Sequence, residues 1–96
     1  MVIRSIRHRG LQLLFEKNST RLLRQDQVER IRTVLYSLEM AESIEEFIRG
    51  AMPGWRIHRL TGERQNEWSV SVSGNWRITF IECDNEIQRV NLEDYH

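Results

Sequence analysis

Trp68-Ser69-Val70-Ser71-Val72-Ser73-Gly74-Asn75-Trp76-Arg77-Ile78-Thr79-Phe80 carries two apolar–polar alternations separated by a turn signal. Trp68, Val70 and Val72 alternate with three serines, and Trp76, Ile78 and Phe80 then alternate with Arg77 and Thr79. A period of two sends successive side chains to opposite faces of a strand, so each run reads as a strand with one apolar face. Gly74-Asn75 between them is a two-residue hairpin signal, with Gly first as a type II′ turn prefers. Downstream, Asp84-Asn85 marks a second turn and Ile87 to Glu93 a last strand, with Val90 and Leu92 on one face. Upstream, Trp55-Arg56-Ile57-His58-Arg59-Leu60 alternates loosely and reads as another strand.

Before Pro53-Gly54 the period changes. Val28, Ile31, Leu35 and Leu38 step by three, four and three, the apolar stripe of a helix, with Asp26 and Glu29 resembling a capping box at its start. Arg30, Arg32 and Glu39 fall mostly on its wet side. Leu11, Leu14 and Phe15 predict an earlier helix from about His8 to Lys17, ended by Asn18-Ser19-Thr20. Ser43 with Glu46 predicts a short third helical turn carrying Phe47 and Ile48, and Val2 to Ile6 a first strand. The order β-α-α-(α)-β-β-β-β is an α+β arrangement: two main N-terminal helices on one face of a mainly antiparallel sheet.

Ninety-six residues make one domain, 1–96, burying roughly 60–65% of the surface its unfolded chain exposes. The single cysteine, Cys83, excludes an internal disulfide and fits a reducing cytoplasm. No apolar run approaches the roughly 20 residues of a membrane helix, and none follows Arg4, Arg7 and Arg9 as a secretory signal requires. The formal net charge is zero, which argues against a simple polyanion binder, yet 13 of the 14 basic residues are arginine. A planar guanidinium holds phosphate through two hydrogen bonds, while genome base composition or surface ion pairs explain the same bias.

Alternation assigns Trp55, Ile57, Trp68, Val70, Val72, Trp76, Ile78, Phe80, Val90 and Leu92 to the core face. Arg56, His58, Ser69, Ser71, Arg77, Thr79, Arg89 and Asn91 then share the opposite face, where one bulge would shift part of the set. His58 has a side chain able to give or take a proton, and His96, after Asp94 and Tyr95, is a second. Arg77 suits the charge of a pentacovalent phosphorane, and a cross-strand ion pair with Glu67 or Glu93 suits it almost equally. Tyr95 can stack on a base or pack on the sheet edge; Asp94 can orient a histidine, accept a proton or cap a turn. His8 reads as structural or as an RNA contact. Cys83 has no Cys-His partner spacing, so neither zinc nor thiol chemistry is expected, and no cofactor is implied.

Gly74-Asn75-Trp76-Arg77-Ile78-Thr79-Phe80 and the closing Glu93-Asp94-Tyr95-His96 resemble the HigB toxins, the plasmid maintenance killer proteins of the RelE/ParE superfamily. Arg7-His8-Arg9-Gly10-Leu11, Arg56-Ile57-His58 and Trp68-Ser69-Val70-Ser71-Val72 carry the likeness across essentially the whole chain. It implies a compact RelE-like toxin in the cytoplasm that cuts messenger RNA on the translating ribosome. Its implied partner is a HigA-type helix-turn-helix antitoxin, through which alone it would reach operator DNA. His58, Asp94, Tyr95 and His96 fall on the family's active-site positions, with Arg77 beside them in the strand motif; Arg56, Arg59, Arg64, Arg89 and His8 are expected RNA contacts. Where the family often has His-Pro-Leu-Lys-Gly, this chain has His58-Arg59-Leu60-Thr61-Gly62, leaving Arg59 or Arg64 to supply the missing charge. A non-catalytic toxin on the same scaffold acting on a protein such as DNA gyrase, or a pure binding module, are the other readings.

Overall fold

A computed structural model describes residues 1–95. Its elements are β1 (Val2–Ile3), α1 (Arg9–Lys17), α2 (Gln25–Met40), α3 (Ile44–Arg49), β2 (His58–Arg59), a 3-10 turn (Gly62–Arg64), β3 (Glu67–Ser73), β4 (Trp76–Cys83) and β5 (Glu86–Asp94). The strands form one sheet in the order β1-β5-β4-β3-β2, antiparallel except for β1, which lies parallel to β5. The α+β class and the mainly antiparallel sheet are therefore as the alternation predicts. No helix among the described residues is long and apolar enough to cross a membrane.

The hairpin turns explain the register. Gly74 alone of its pair has positive φ, as a type II′ turn requires, whereas Asp84 and Asn85 both do, the signature of type I′. These turns set Ser69 opposite Thr79, and Thr79 opposite Asn91. Trp55, Val70, Val72, Ile78, Phe80, Val90 and Leu92 are buried with Leu11, Ile31, Val34, Leu38 and Phe47 of the helices in one core, and Ile57, Trp68 and Trp76 pack partly buried against it.

Several boundaries differ from expectation. Strand β1 is two residues long, with Ile6 returning to bridge Val90. The run from Trp55 to Leu60 yields only His58–Arg59 as strand, because Arg56 adopts a left-handed backbone (φ 48°) that breaks the extended path. Helix α2 starts before Asp26: its N-cap is Arg24, without a side-chain cap, and Asp26 sits in the first turn paired with the Arg24 guanidinium at 2.9 Å. Arg89 is a positive-φ residue where the β4–β5 register shifts between Thr79 and Ile81. That bulge removes it from the alternating row, and its backbone N–H is spent on the Ser5 hydroxyl.

The start of α1 is built closely. His8 is its N-cap and its Nδ1 accepts from the backbone N–H of Gly10 and Leu11. A Cβ on Gly10 would lie 2.8 Å from a Leu23 methyl and 2.9 Å from the His8 ring, so only glycine fits. Burial lowers the His8 pKa, which keeps Nδ1 free to accept.

Candidate active site

The polar face of the sheet carries the site. Cross-strand pairing places His58, Ser69, Thr79 and Asn91 in one row, and Ser71, Arg77 and Glu93 in the next, towards the Gly74-Asn75 turn. Directly opposed residues on one face are neighbours, with Cβ atoms roughly 5 Å apart. Ser69 and Thr79 are fully buried although they face away from the apolar core, so long side chains cover them.

Two arginines do the covering. Arg64 reaches from the 3-10 turn to Glu67 on β3, at 2.8 and 2.9 Å, and to Glu93 on β5, at 2.5 and 3.0 Å. Glu93 also accepts from the Thr79 hydroxyl at 2.6 Å. The hydrogen bonds from Arg64 hold both carboxyls below their ordinary pKa range, with Arg7 adding a smaller electrostatic pull on each, and the Arg64 pKa rises correspondingly. Arg7 is thus a cation beside this face that alternation alone does not reveal.

Arg77 is placed differently. Its Nη1 donates to the Ser69 hydroxyl at 3.1 Å, and its guanidinium carbon lies 4.5 Å from the Tyr95 ring centroid. No ion pair holds it among the described residues, so the expected partnership with Glu67 or Glu93 is absent: Arg64 has taken both. Its Nε is buried and has no hydrogen-bond partner among the described residues. Tyr95 is tied down by its backbone N–H donating to the Asn75 carbonyl at 2.8 Å, which holds Tyr95 beside the β3–β4 turn.

His58 stands across from Ser69, the residue that receives Arg77, so His58 and Arg77 flank one serine on the same face of the sheet. Its Nδ1 is 2.8 Å from the Arg56 carbonyl oxygen. A carbonyl only accepts, so Nδ1 carries the hydrogen and Nε2 is the atom left to exchange a proton. The left-handed turn at Arg56 is what aims that carbonyl at the ring. The arrangement offers a proton-exchanging nitrogen, a guanidinium that no carboxylate among the described residues pairs with and an exposed aromatic ring on one surface, the groups that acid–base chemistry at a phosphate needs.

The other expected residues are distributed as follows. Asp94 pairs with Trp76, so alternation turns its Cβ away from Glu93 and the Arg77 face. His96 lies outside the described residues. Arg59 is across from Trp68 with its guanidinium carbon 5.0 Å from that ring centroid, on the opposite face from His58. Arg64 is on the right face, but its guanidinium is committed to two carboxylates. Neither arginine therefore occupies the place of a free lysine at Thr61. Arg89 is displaced by its bulge, and His8 caps a helix. Arg56 is exposed and carries no ion pair among the described residues. The sequence reading left Arg30 on the wet side of α2, yet it is half-buried and donates to the Ser71 carbonyl at 2.9 Å. Its sequence signal is its place one helical turn from the buried Gln27 and Val34.

Residues 4–96 match the family of HigB-like toxins, described as the RelE-like toxin HigB of type II toxin-antitoxin systems. Among curated proteins, the chain is similar to one called endoribonuclease HigB from Proteus vulgaris, at 39% identity over 95 residues, which is 99% of this chain and 100% of the relative.

Proposed function

The chain belongs to the HigB-like family of RelE-like toxins of type II toxin–antitoxin systems, and we propose that it acts as an endoribonuclease on messenger RNA engaged by the translating ribosome. A type II toxin has an antitoxin partner; for this chain we infer a HigA-type helix-turn-helix protein, with operator DNA reached only through the complex.

The proposed step is a transesterification. His58 Nε2 takes the proton of an RNA 2′-hydroxyl, and the 2′-oxygen attacks the adjacent phosphorus. The bond from phosphorus to the 5′-oxygen breaks, and a general acid returns a proton to that oxygen. The products are a 2′,3′-cyclic phosphate and a 5′-hydroxyl. The general acid in this reading is His96. Arg77 supports the negative charge that builds on the phosphorane, and Tyr95 offers the exposed side of its ring to a base or its hydroxyl to phosphate.

The observation that carries the reading is the chain of contacts from the Arg56 carbonyl through His58, Ser69 and Arg77 to Tyr95. It supports His58 as the base because its Nδ1 is already a donor. Holding the substrate in register is itself a large contribution to rate, and on the ribosome the message arrives pre-aligned. Mapping message ends in a reconstituted translation system tests this. Breaks bearing 2′,3′-cyclic phosphate are expected in the presence of the wild-type protein; intact message overturns the assignment.

A further inference from the structure

Beside the site, at the open edge of the sheet near the β3–β4 turn, lies a cavity of about 300 Å³ with Arg30, Arg56, Ser71, Ser73, Gly54 and Gly74 in its wall. Its polar side chains present donors. Arg56 and Arg30 have no carboxylate partner among the described residues, and Arg30 uses Nη1 on the Ser71 carbonyl, leaving further N–H groups. The Ser73 oxygen accepts from the amide of the buried Gln27 at 2.9 Å, which fixes the hydroxyl and leaves its proton to give. Gly54 (φ 91°) and Gly74 (φ 53°) keep the rim low, and nothing approaches within 4 Å of where a Gly74 Cβ would stand. The cavity adjoins the reacting centre on two sides. Ser71 is the cross-strand partner of Arg77, and Arg56 is the residue whose carbonyl holds His58.

We propose that Arg56, Arg30 and Ser73 form a second phosphate subsite that binds a backbone phosphate neighbouring the scissile one. The inference rests on the endoribonuclease reading and assigns a location to part of its RNA contact. Two guanidiniums and a hydroxyl facing a common polar space fit the spread charge of a phosphodiester. The subsite reads no base, since it contacts backbone alone, so it sets the strand's path past His58 rather than sequence preference. Arg56 has two separable jobs here: its backbone carbonyl orients His58 and its side chain binds phosphate.

That separation makes the test clean. Arg56→Gly keeps the left-handed backbone, which glycine adopts freely, and deletes only the side chain. Binding of a short 2′-O-methyl oligoribonucleotide, which cannot be cut, is measured across a salt series for wild type, Arg56→Gly, Arg56→Lys and Arg30→Gln. Arg56→Gly is expected to weaken binding roughly tenfold and to lower the slope of log affinity against log salt by about 0.7, the value for one single-strand phosphate contact. Arg56→Lys should restore most of the slope. Message cleavage by Arg56→Gly should show a raised KM, as loss of substrate binding predicts. A wild-type protein that neither cuts message nor holds the oligonucleotide overturns the nuclease reading and the subsite together. One that cuts message, but holds no oligonucleotide or shows the same salt slope in all four proteins, overturns the subsite alone.

Discussion

Arg64 and Arg77 lie on the same sheet face and have opposite fates. Arg64 is clamped between Glu67 and Glu93 over the buried Thr79 hydroxyl, and its charge is spent within the molecule. Arg77 rests on a serine hydroxyl and an aromatic ring, and no carboxylate among the described residues neutralises it. The difference teaches that arginine richness is no measure of RNA-binding surface. What counts is which guanidiniums the fold has already matched with carboxylates. One half of the face holds the strands together; the other half, with His58 and Tyr95, is left to meet an anion.

The contrast can be broken by substitution. The largest effect is expected for Arg77→Ala, which should lower message cleavage by about 10²–10³-fold, the usual cost of removing one preorganised charge donor. Its thermal midpoint should stay near wild type, because the fold loses a donor that was not fully satisfied. A large drop in midpoint with cleavage per folded molecule preserved would reverse the roles assigned to the two arginines.

Arg64→Ala should do the converse: cost about 1–2 kcal/mol in denaturant unfolding, with little change in cleavage once folded. The figure is modest because Arg64 is more than a third exposed and solvent screens its pairs. The pH profile sharpens this. Glu67 and Glu93 titrate lower in the folded state than in the unfolded chain, so as pH falls the unfolded chain takes up protons first. Their contribution is intact above the ordinary carboxylate value of about 4.3 and is lost as pH falls below it towards their folded values. Stability of Arg64→Ala should be flatter across that window, and an unchanged slope would show that the clamp is not what lowers these carboxyls.

The smallest effect concerns His8, an expected RNA contact that caps α1 instead. His8→Ala should cost about 1 kcal/mol and His8→Asn much less, since asparagine is also an N-cap acceptor. The folded His8 pKa is lowered, so its stabilisation is full above about 6.5 and is lost as pH falls from there through the folded value. Undiminished stability of His8→Ala with weakened RNA binding would return the residue to the interface.

Much of the fold was legible because it depends on local chemistry. Gly74-Asn75 and Asp84-Asn85 fixed the hairpins, and the period of two assigned Val70, Ile78 and Phe80 to the core and Ser69, Arg77 and Thr79 to the other face. The misses arose where one residue left its regular backbone. Arg56 shortened a strand, and Arg89 formed a bulge that removed it from the expected row. Arg59 failed as a substitute for the family's lysine because alternation, strictly applied, already sends it to the face opposite His58, onto Trp68.

The class of fold, the faces of the sheet and the kind of chemistry its polar face could support are written in the order of the residues. Those follow from turn residues and periodicity, which act over a few positions. Side-chain packing across strands settled which guanidinium is claimed by carboxylates, which nitrogen of His58 exchanges a proton and where Arg30 points. An arginine side chain spans neighbouring strands, so its partner is chosen among residues far apart in the chain, as Glu93 is for Arg64 at a separation of 29. No local pattern encodes that choice, because it is made by the register of three strands at once.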